Sequence, residues 1–303
     1  MKITAVVLCC VVAAGSFVET AAFAPNAGIT SKSTTVHPVP NIRDTAIVVD
    51  RQPVAPTVLH AVTSHSEAAP DADYDALVKY HVSIAVQMAL IAGVLKGFDV
   101  VMDVTGMDAP FWVTVPLFYG FSLKSRIFNP LQNNRPNLKA GDKGGRGFND
   151  RTMPSWTPPG VTFPIMWLLI IGPLRAYSSA LIVDTTGSFL NPAILALMFH
   201  LSVGDVWNTI NNIERRYGAA VTGVLCVTAT ALNAAYQYHQ VDEQAGNLLG
   251  LPMIWFAVAA SLVTATWQLN PVSGGDERDA LYPVAGASST EFAWFQSQSD
   301  NDE

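Results

Sequence analysis

Pro154-Ser155-Trp156-Thr157-Pro158-Pro159, followed by Phe163 and Trp167 at the head of a long apolar run, decides how this chain is read. Proline is tolerated at a helix start because its missing N–H would find no partner there anyway. Tryptophan favours the boundary between membrane and water, where part of its ring is wet and the rest apolar. Two prolines with flanking aromatics therefore predict a shaped mouth where a membrane helix begins.

The composition agrees with a membrane setting. Of 303 residues, 50% are hydrophobic and 14% charged. That is too apolar for an ordinary soluble domain and suits a polytopic membrane protein. The net charge of −7 is unevenly spread. Basic residues gather between Lys124 and Arg151, and acidic ones in the tail, at Asp276, Glu277, Asp279, Glu291, Asp300, Asp302 and Glu303. No aromatic-laced basic surface accompanies the basic loop, so nothing supports nucleic-acid binding.

A bilayer core about 30 Å thick takes roughly 20 apolar residues of helix. Four such segments follow the proline stretch, near 161–183, 191–212, 217–239 and 247–268. Two weaker candidates precede it: 81–101, interrupted by Lys96 and Asp99, and 111–123, short and containing Pro116. This pair predicts one full span plus a half-span or interfacial helix, and either could be the full one. The expected fold is all-α, a polytopic five-helix membrane bundle with an extra half-span before it. The basic loop and Arg215-Arg216 then share one side, with Asp184, Asp242 and Glu243 on the other. Cationic loops stay on the cytoplasmic or stromal side, so the N-terminus is expected to face away from it. Ala219-xxx-Gly223 and Ala231-xxx-Ala235 allow close helix approach, either inside one bundle or along a homodimer seam.

Residues 1–22 read as a secretory-type signal: Lys2, an apolar core from Ile3 to Val18, then Thr20-Ala21-Ala22. Phe23-Ala24-Pro25 and a Ser/Thr-rich, acid-poor stretch follow, so 23–69 reads as a transit-like segment outside the fold. This start resembles the bipartite presequence of algae with secondary red plastids. It implies an integral membrane protein of the plastid envelope or thylakoid, with a plain endomembrane leader as the alternative. The bundle is expected over 70–270 and an acidic tail over 271–303. Beyond the leader only Cys226 remains, among apolar neighbours that suit a packing residue.

Five of the seven tryptophans, Trp156, Trp167, Trp207, Trp255 and Trp267, fall on the four best spans or, for Trp156, just before the first of them. With Pro154-x-Trp156-x-Pro158-Pro159, Phe163, Arg215, Gly218 and Leu248-Leu249 in the same order, residues 150–270 resemble the TspO/MBR family, the translocator or tryptophan-rich sensory proteins. The chain departs from the family at several polar positions. Gly204 stands where an asparagine precedes the third-span tryptophan, and Ile171 replaces a tyrosine. Gly250-Leu251-Pro252 and Val263 replace a Tyr-Pro-Tyr-like element and an asparagine in the fifth span.

The resemblance implies a five-helix bundle that binds or moves a flat apolar molecule, such as a tetrapyrrole, sterol or isoprenoid, between its helices. The loop at 124–151 would cover the pocket; its glycines match no phosphate-binding pattern. Trp156, Pro158, Pro159 and Phe163 would shape the mouth, while Trp167, Trp207, Trp255 and Trp267 would line the cavity or anchor helices. A tetrapyrrole enters as a ligand, with no resident cofactor. The missing cavity polar groups and the added end segments suit an alternative, a structural or assembly subunit of a pigment–protein complex.

Three ionisable residues stand at membrane depth, where charge is costly and marks candidate sites: Arg175, His200 and Asp205. Arg175 and His200 are expected at similar depth, and Arg175 is expected to pair with Asp205. His200 either bonds a neighbouring helix or ligates the metal of a haem or chlorophyll. No residue is nominated for catalysis or for a resident metal, because the spans hold no paired carboxylates, His-Glu arrangement or nucleophile with an adjacent base.

Overall fold

A computed structural model describes residues 70–131, 151–272 and 277–295. The leader, the transit-like segment, the loop glycines and the last acidic residues lie outside them. The described chain is helical, with two isolated antiparallel bridges and no extended sheet.

Helix α1 spans Tyr74–Thr105 and is 32 residues long. Its start is fixed by Asp73, whose carboxylate accepts the Ala76 N–H at 2.9 Å. Its end is fixed by Gly106, whose φ of 65° a side chain would resist. Helix α2, Phe111–Lys124, has only 14 residues and contains Pro116. At about 1.5 Å per residue it covers roughly 21 Å, too little to cross a bilayer core. So 74–105 is the full candidate span and 111–124 the half-span. Helices α3 (Thr162–Thr186), α4 (Pro192–Glu214) and α5 (Tyr217–Val241) follow, then α6 (Glu243–Gly250) and α7 (Met253–Leu269), which together form the last of five candidate membrane spans.

Helix α1 packs on α4, α2 on α3, α4 on α5, and α5 on both α6 and α7. The main core joins Ile91, Leu95, Phe118, Phe189, Leu197 and Tyr238. At one end of the bundle, Asp99 accepts the Phe189 and Leu190 N–H groups at 2.6 and 3.0 Å and the Ser188 hydroxyl at 2.9 Å. The residue that interrupts α1 as an apolar run is thus the anchor of the α3–α4 turn.

At the opposite end, Ala72 pairs with Val284 and Asp73 bonds Arg216. The start of α1 therefore stands beside the Arg215–Arg216 loop, not away from it. Helix α2 returns the chain toward that end, which makes the number of passes even and overturns the orientation expected from loop charge. Arg216 also misleads that reasoning directly: it is buried between Asp73 and Glu214, at 2.7 and 3.1 Å, and presents no cation to a surface.

The tail contributes to the fold. Residues 277–295 form a strap over the Arg216 end. Asp73 N–H donates to Pro283 O at 2.8 Å, Ala285 N–H to Asp71 O at 3.0 Å, and Ala293 N–H to Pro130 O at 2.8 Å. Asp279 accepts the Gly218 N–H at 3.1 Å, and Trp267 Nε1 donates to Asp279 O at 2.8 Å. Gly218 permits this approach, because a Cβ there would lie 2.0 Å from Ala280 O.

The small residues of α5 pack within the bundle. A Cβ on Gly223 would fall 2.8 Å from the Trp207 ring, and Ala219 and Ala231 are buried in separate apolar clusters.

Candidate ligand-binding site

The proline stretch does not open at the bundle's end. Thr152 N–H donates to Asn270 Oδ1 and Asn270 Nδ2 to Thr152 O, both at 2.9 Å. One step on, the Thr266 hydroxyl reaches the Met153 sulfur at 3.8 Å. The chain then runs along α7 until Phe163 meets Trp255, roughly 16 Å from Thr266 at helical rise. Helix α3 thus begins near the middle of the α6–α7 span. Trp156 and Pro159 are exposed and Pro158 half-buried along the descent.

The first part of α3 is wound wide, a π-helix over Ile165–Ile171, in which Gly172 N–H bonds Trp167 O. Such widened turns occur mostly as short insertions in α-helices, frequently at functional sites. Pro173 has no N–H to offer the next carbonyl in that register, Leu168. The Tyr119 hydroxyl of α2 supplies the donor instead, at 2.8 Å. A Cβ on Gly172 would sit 2.9 Å from both the Trp167 carbonyl and the Tyr119 ring, so the widening needs glycine there.

Two edge-to-face ring pairs join α3 to α7. Phe163 and Trp255 have centroids 5.8 Å apart at 65°, and Trp167 and Phe256 5.9 Å apart at 67°. Trp167, Trp207, Val203, Met253 and Phe256 share one apolar cluster with Val227 and Ala231. Trp207 is further fixed by its Nε1, which donates to Ala220 O at 3.0 Å. Trp267 stands apart from this group, holding the strap.

Behind the seam lies a buried polar pair. The Arg175 Nη2 approaches His200 Nε2 at 2.6 Å, and its guanidinium lies 5.5 Å from the Trp167 ring centre. Arginine has no acceptor, so His200 Nε2 accepts and its Nδ1 carries the proton. That N–H points at Val227 O, 3.1 Å away, with the Thr230 hydroxyl at 3.3 Å. Phe256 closes over the imidazole edge-on at 5.5 Å. Both ring nitrogens are engaged, which removes His200 as a ligand for a haem or chlorophyll metal in this arrangement.

Arg175 and Asp205 do not pair, contrary to expectation. Asp205 points toward the α1–α2 hairpin and accepts from Gln87 Nε2 and the Ser125 hydroxyl, both at 2.7 Å. Gln87 also donates to Ser125 O at 3.0 Å. Helix α2 ends inside the bundle, and these groups satisfy its end where water cannot. Asp205 is an anchor of the half-span.

Arg175, Leu197, His200, Leu249, Met253 and Phe256 border a hollow of about 10 Å³. That is about the room one water-sized group requires.

Residues 131–268 match the sequence model described as the TspO/MBR family. This segment resembles the TspO/MBR family. A protein named Translocator protein from Sus scrofa is 27% identical over 128 residues, 41% of this chain and 75% of the relative. Protein CrtK from Rhodobacter capsulatus is 24% identical over 130 residues, 42% of this chain and 80% of the relative. The TspO/MBR segment contains α3 to α7, the seam and the Arg175–His200 pair, while α1, α2 and the strap lie outside it. With five candidate spans, the chain is an integral membrane protein.

Sequence reasoning missed Phe256, which touches both Trp167 and His200, and Met253. Their signal was weak, because both lie within an apolar run in which neither stands out by charge or spacing. Among the described residues no group of three or more His, Cys, Asp or Glu could hold a metal ion.

Proposed function

We propose that the protein binds a flat, largely apolar small molecule of the tetrapyrrole or sterol kind at the α3–α7 seam, to move or sequester it within a membrane. The observation that carries this reading is the pair of edge-to-face contacts, Phe163–Trp255 and Trp167–Phe256, closing a widened helix over a buried polar pair. Indole and phenyl faces suit a planar apolar body, and few polar groups are needed to orient it. Trp156, Pro158 and Pro159 line the approach, Trp207 stiffens the wall, and Trp267 serves the strap.

Sites for drug-sized ligands enclose about 300–1,000 Å³, far more than the hollow behind the seam. Binding therefore requires the two ring pairs to part, and the unusual winding of α3 gives that movement a place to occur. The names of the relatives, a translocator among them, agree with transport.

The test is titration of the purified protein in lipid nanodiscs with protoporphyrin IX, followed by tryptophan fluorescence. Saturable quenching at about one ligand per chain supports the reading; quenching no greater than that of free tryptophan at equal concentration contradicts it.

The small hollow favours a second reading, an architectural subunit of a plastid membrane complex. Co-purification with one pigment–protein complex at fixed stoichiometry, without porphyrin binding, would establish it.

A further inference from the structure

We propose that Arg175 is the docking point for a carboxylate carried by the ligand, so that the seam takes acidic amphiphiles, apolar bodies ending in a carboxylate, over neutral molecules such as sterols. This rests on the binding reading above and names its ligand class.

Arg175 is 5% exposed, midway along α3. A guanidinium keeps its charge and offers five N–H donors. One meets His200, and the cation rests on Trp167. Among the described residues no carboxylate lies within ion-pair distance of it. Asp205, the carboxylate whose charge reaches it through space, bonds Gln87 and Ser125 on the other side of α4. The hydroxyl of Tyr238, a further polar group on α5, bonds Ser179 at 2.8 Å. The bundle thus encloses a cation whose direct contacts are a neutral imidazole and an aromatic face, with the Asp205 charge reaching it only through space.

A cation with no anion in direct contact is expensive in a low-dielectric interior, and an arriving anion relieves that cost. A neutral ligand cannot. The fork of N–H groups also matches a carboxylate in shape. Size points the same way: the hollow beside Arg175 holds about one water-sized group, so a small head needs far less widening there than a ring system. A carboxylate would sit there while the apolar body occupies the parted seam among Phe163, Trp167, Trp255 and Phe256. His200 holds the guanidinium in place without adding charge, since its Nε2 lone pair faces Arg175.

The test compares protoporphyrin IX with its dimethyl ester, which has the same ring and no carboxylate, in nanodiscs of uncharged lipid. The acid is expected to bind at least roughly tenfold more tightly than the ester, the scale of one charge-assisted hydrogen bond. Arg175→Gln should bring the acid down to the ester's affinity for the same variant, while Arg175→Lys retains part of the preference. Equal binding of acid and ester to the unaltered protein overturns the carboxylate anchor and leaves the binding reading standing. Binding of neither overturns both. The acid–ester comparison needs no variant, so poor folding of Arg175→Gln does not blunt it.

Discussion

The Arg216 guanidinium donates to the Asp73 carboxylate at 2.7 Å, joining the loop between α4 and α5 to the residue that caps α1. Arg216 also donates to Ser288 Oγ at 2.8 Å, to Ser288 O at 2.7 Å and to Val284 O at 3.2 Å. Glu214, the third member, accepts from the Tyr80 hydroxyl of α1. One side chain therefore ties the family segment to α1 and to the strap. Arg216→Gln leaves the buried Glu214 carboxylate and the partly exposed Asp73 carboxylate without their cation. Removing one partner of such a group costs about 3–5 kcal/mol, read as a fall in stability on denaturant titration in detergent. An unchanged midpoint would contradict this account of the strap.

The acids of this junction give stability a pH dependence with opposite signs. Burial alone would raise the Asp73 carboxyl, but the Ala76 N–H and Arg216 hold it below its usual range. A lowered folded-state value adds stability that is present above the ordinary carboxylate pKa of about 3.9 and lost as pH falls below it. Asp279 is raised by burial despite the Gly218 N–H, so its ionisation works against folding as pH rises from about 4. Asp279→Asn keeps an acceptor for Gly218 and removes the charge. It should be as stable as the parent or more so at pH 7, and lose that advantage near pH 4. Asp73→Asn should lose stability at pH 7 and show a flatter acid limb.

Gly218→Ala tests the closeness of the strap separately from charge. A Cβ 2.0 Å from Ala280 O and 2.5 Å from Asp279 O cannot be accommodated without lifting residues 279–280. Overpacking of this kind costs about 1–3 kcal/mol, even though alanine is the better helix former. Limited proteolysis should then cut within 277–295 faster than in the parent. Equal resistance would mean the strap does not press on α5.

Asp205→Ala should destabilise by about 2–3 kcal/mol, the loss expected when donors to a charged acceptor are stranded. Gln87 Nε2 and the Ser125 hydroxyl are those donors. Porphyrin affinity should stay within twofold or so, because the carboxylate faces α1 and α2 and not the seam. A large fall in affinity with little change in stability would place Asp205 in the site.

The five apolar stretches, the helix-breaking turns and the aromatic punctuation could be read directly, because each depends on local composition and spacing. Arg175 and His200 could be placed at one depth by counting helical rise, and their bond follows that count. Partner choice could not. Asp205 lies little more than a turn beyond His200 on α4, yet it turns toward Gln87 and Ser125, and only the termination of α2 inside the bundle explains why. The strap was hidden for a similar reason: a charged, turn-rich segment looks solvated until Arg216, Gly218 and Trp267 are seen to receive it. The orientation was misjudged because α2 turns the chain back, which puts the start of α1 beside Arg216. The wide winding of α3 had a signal in Gly172-Pro173, whose meaning needed Tyr119 to complete it.

On the proposed binding reading, the α3–α7 seam parts to admit a ligand. A Phe163→Cys, Trp255→Cys variant, cross-linked by a short bis-methanethiosulfonate and compared with the same protein after reduction, tests it most directly. The account predicts that the cross-linked protein fails to bind protoporphyrin IX and that reduction restores binding. Equal binding before and after reduction would contradict it.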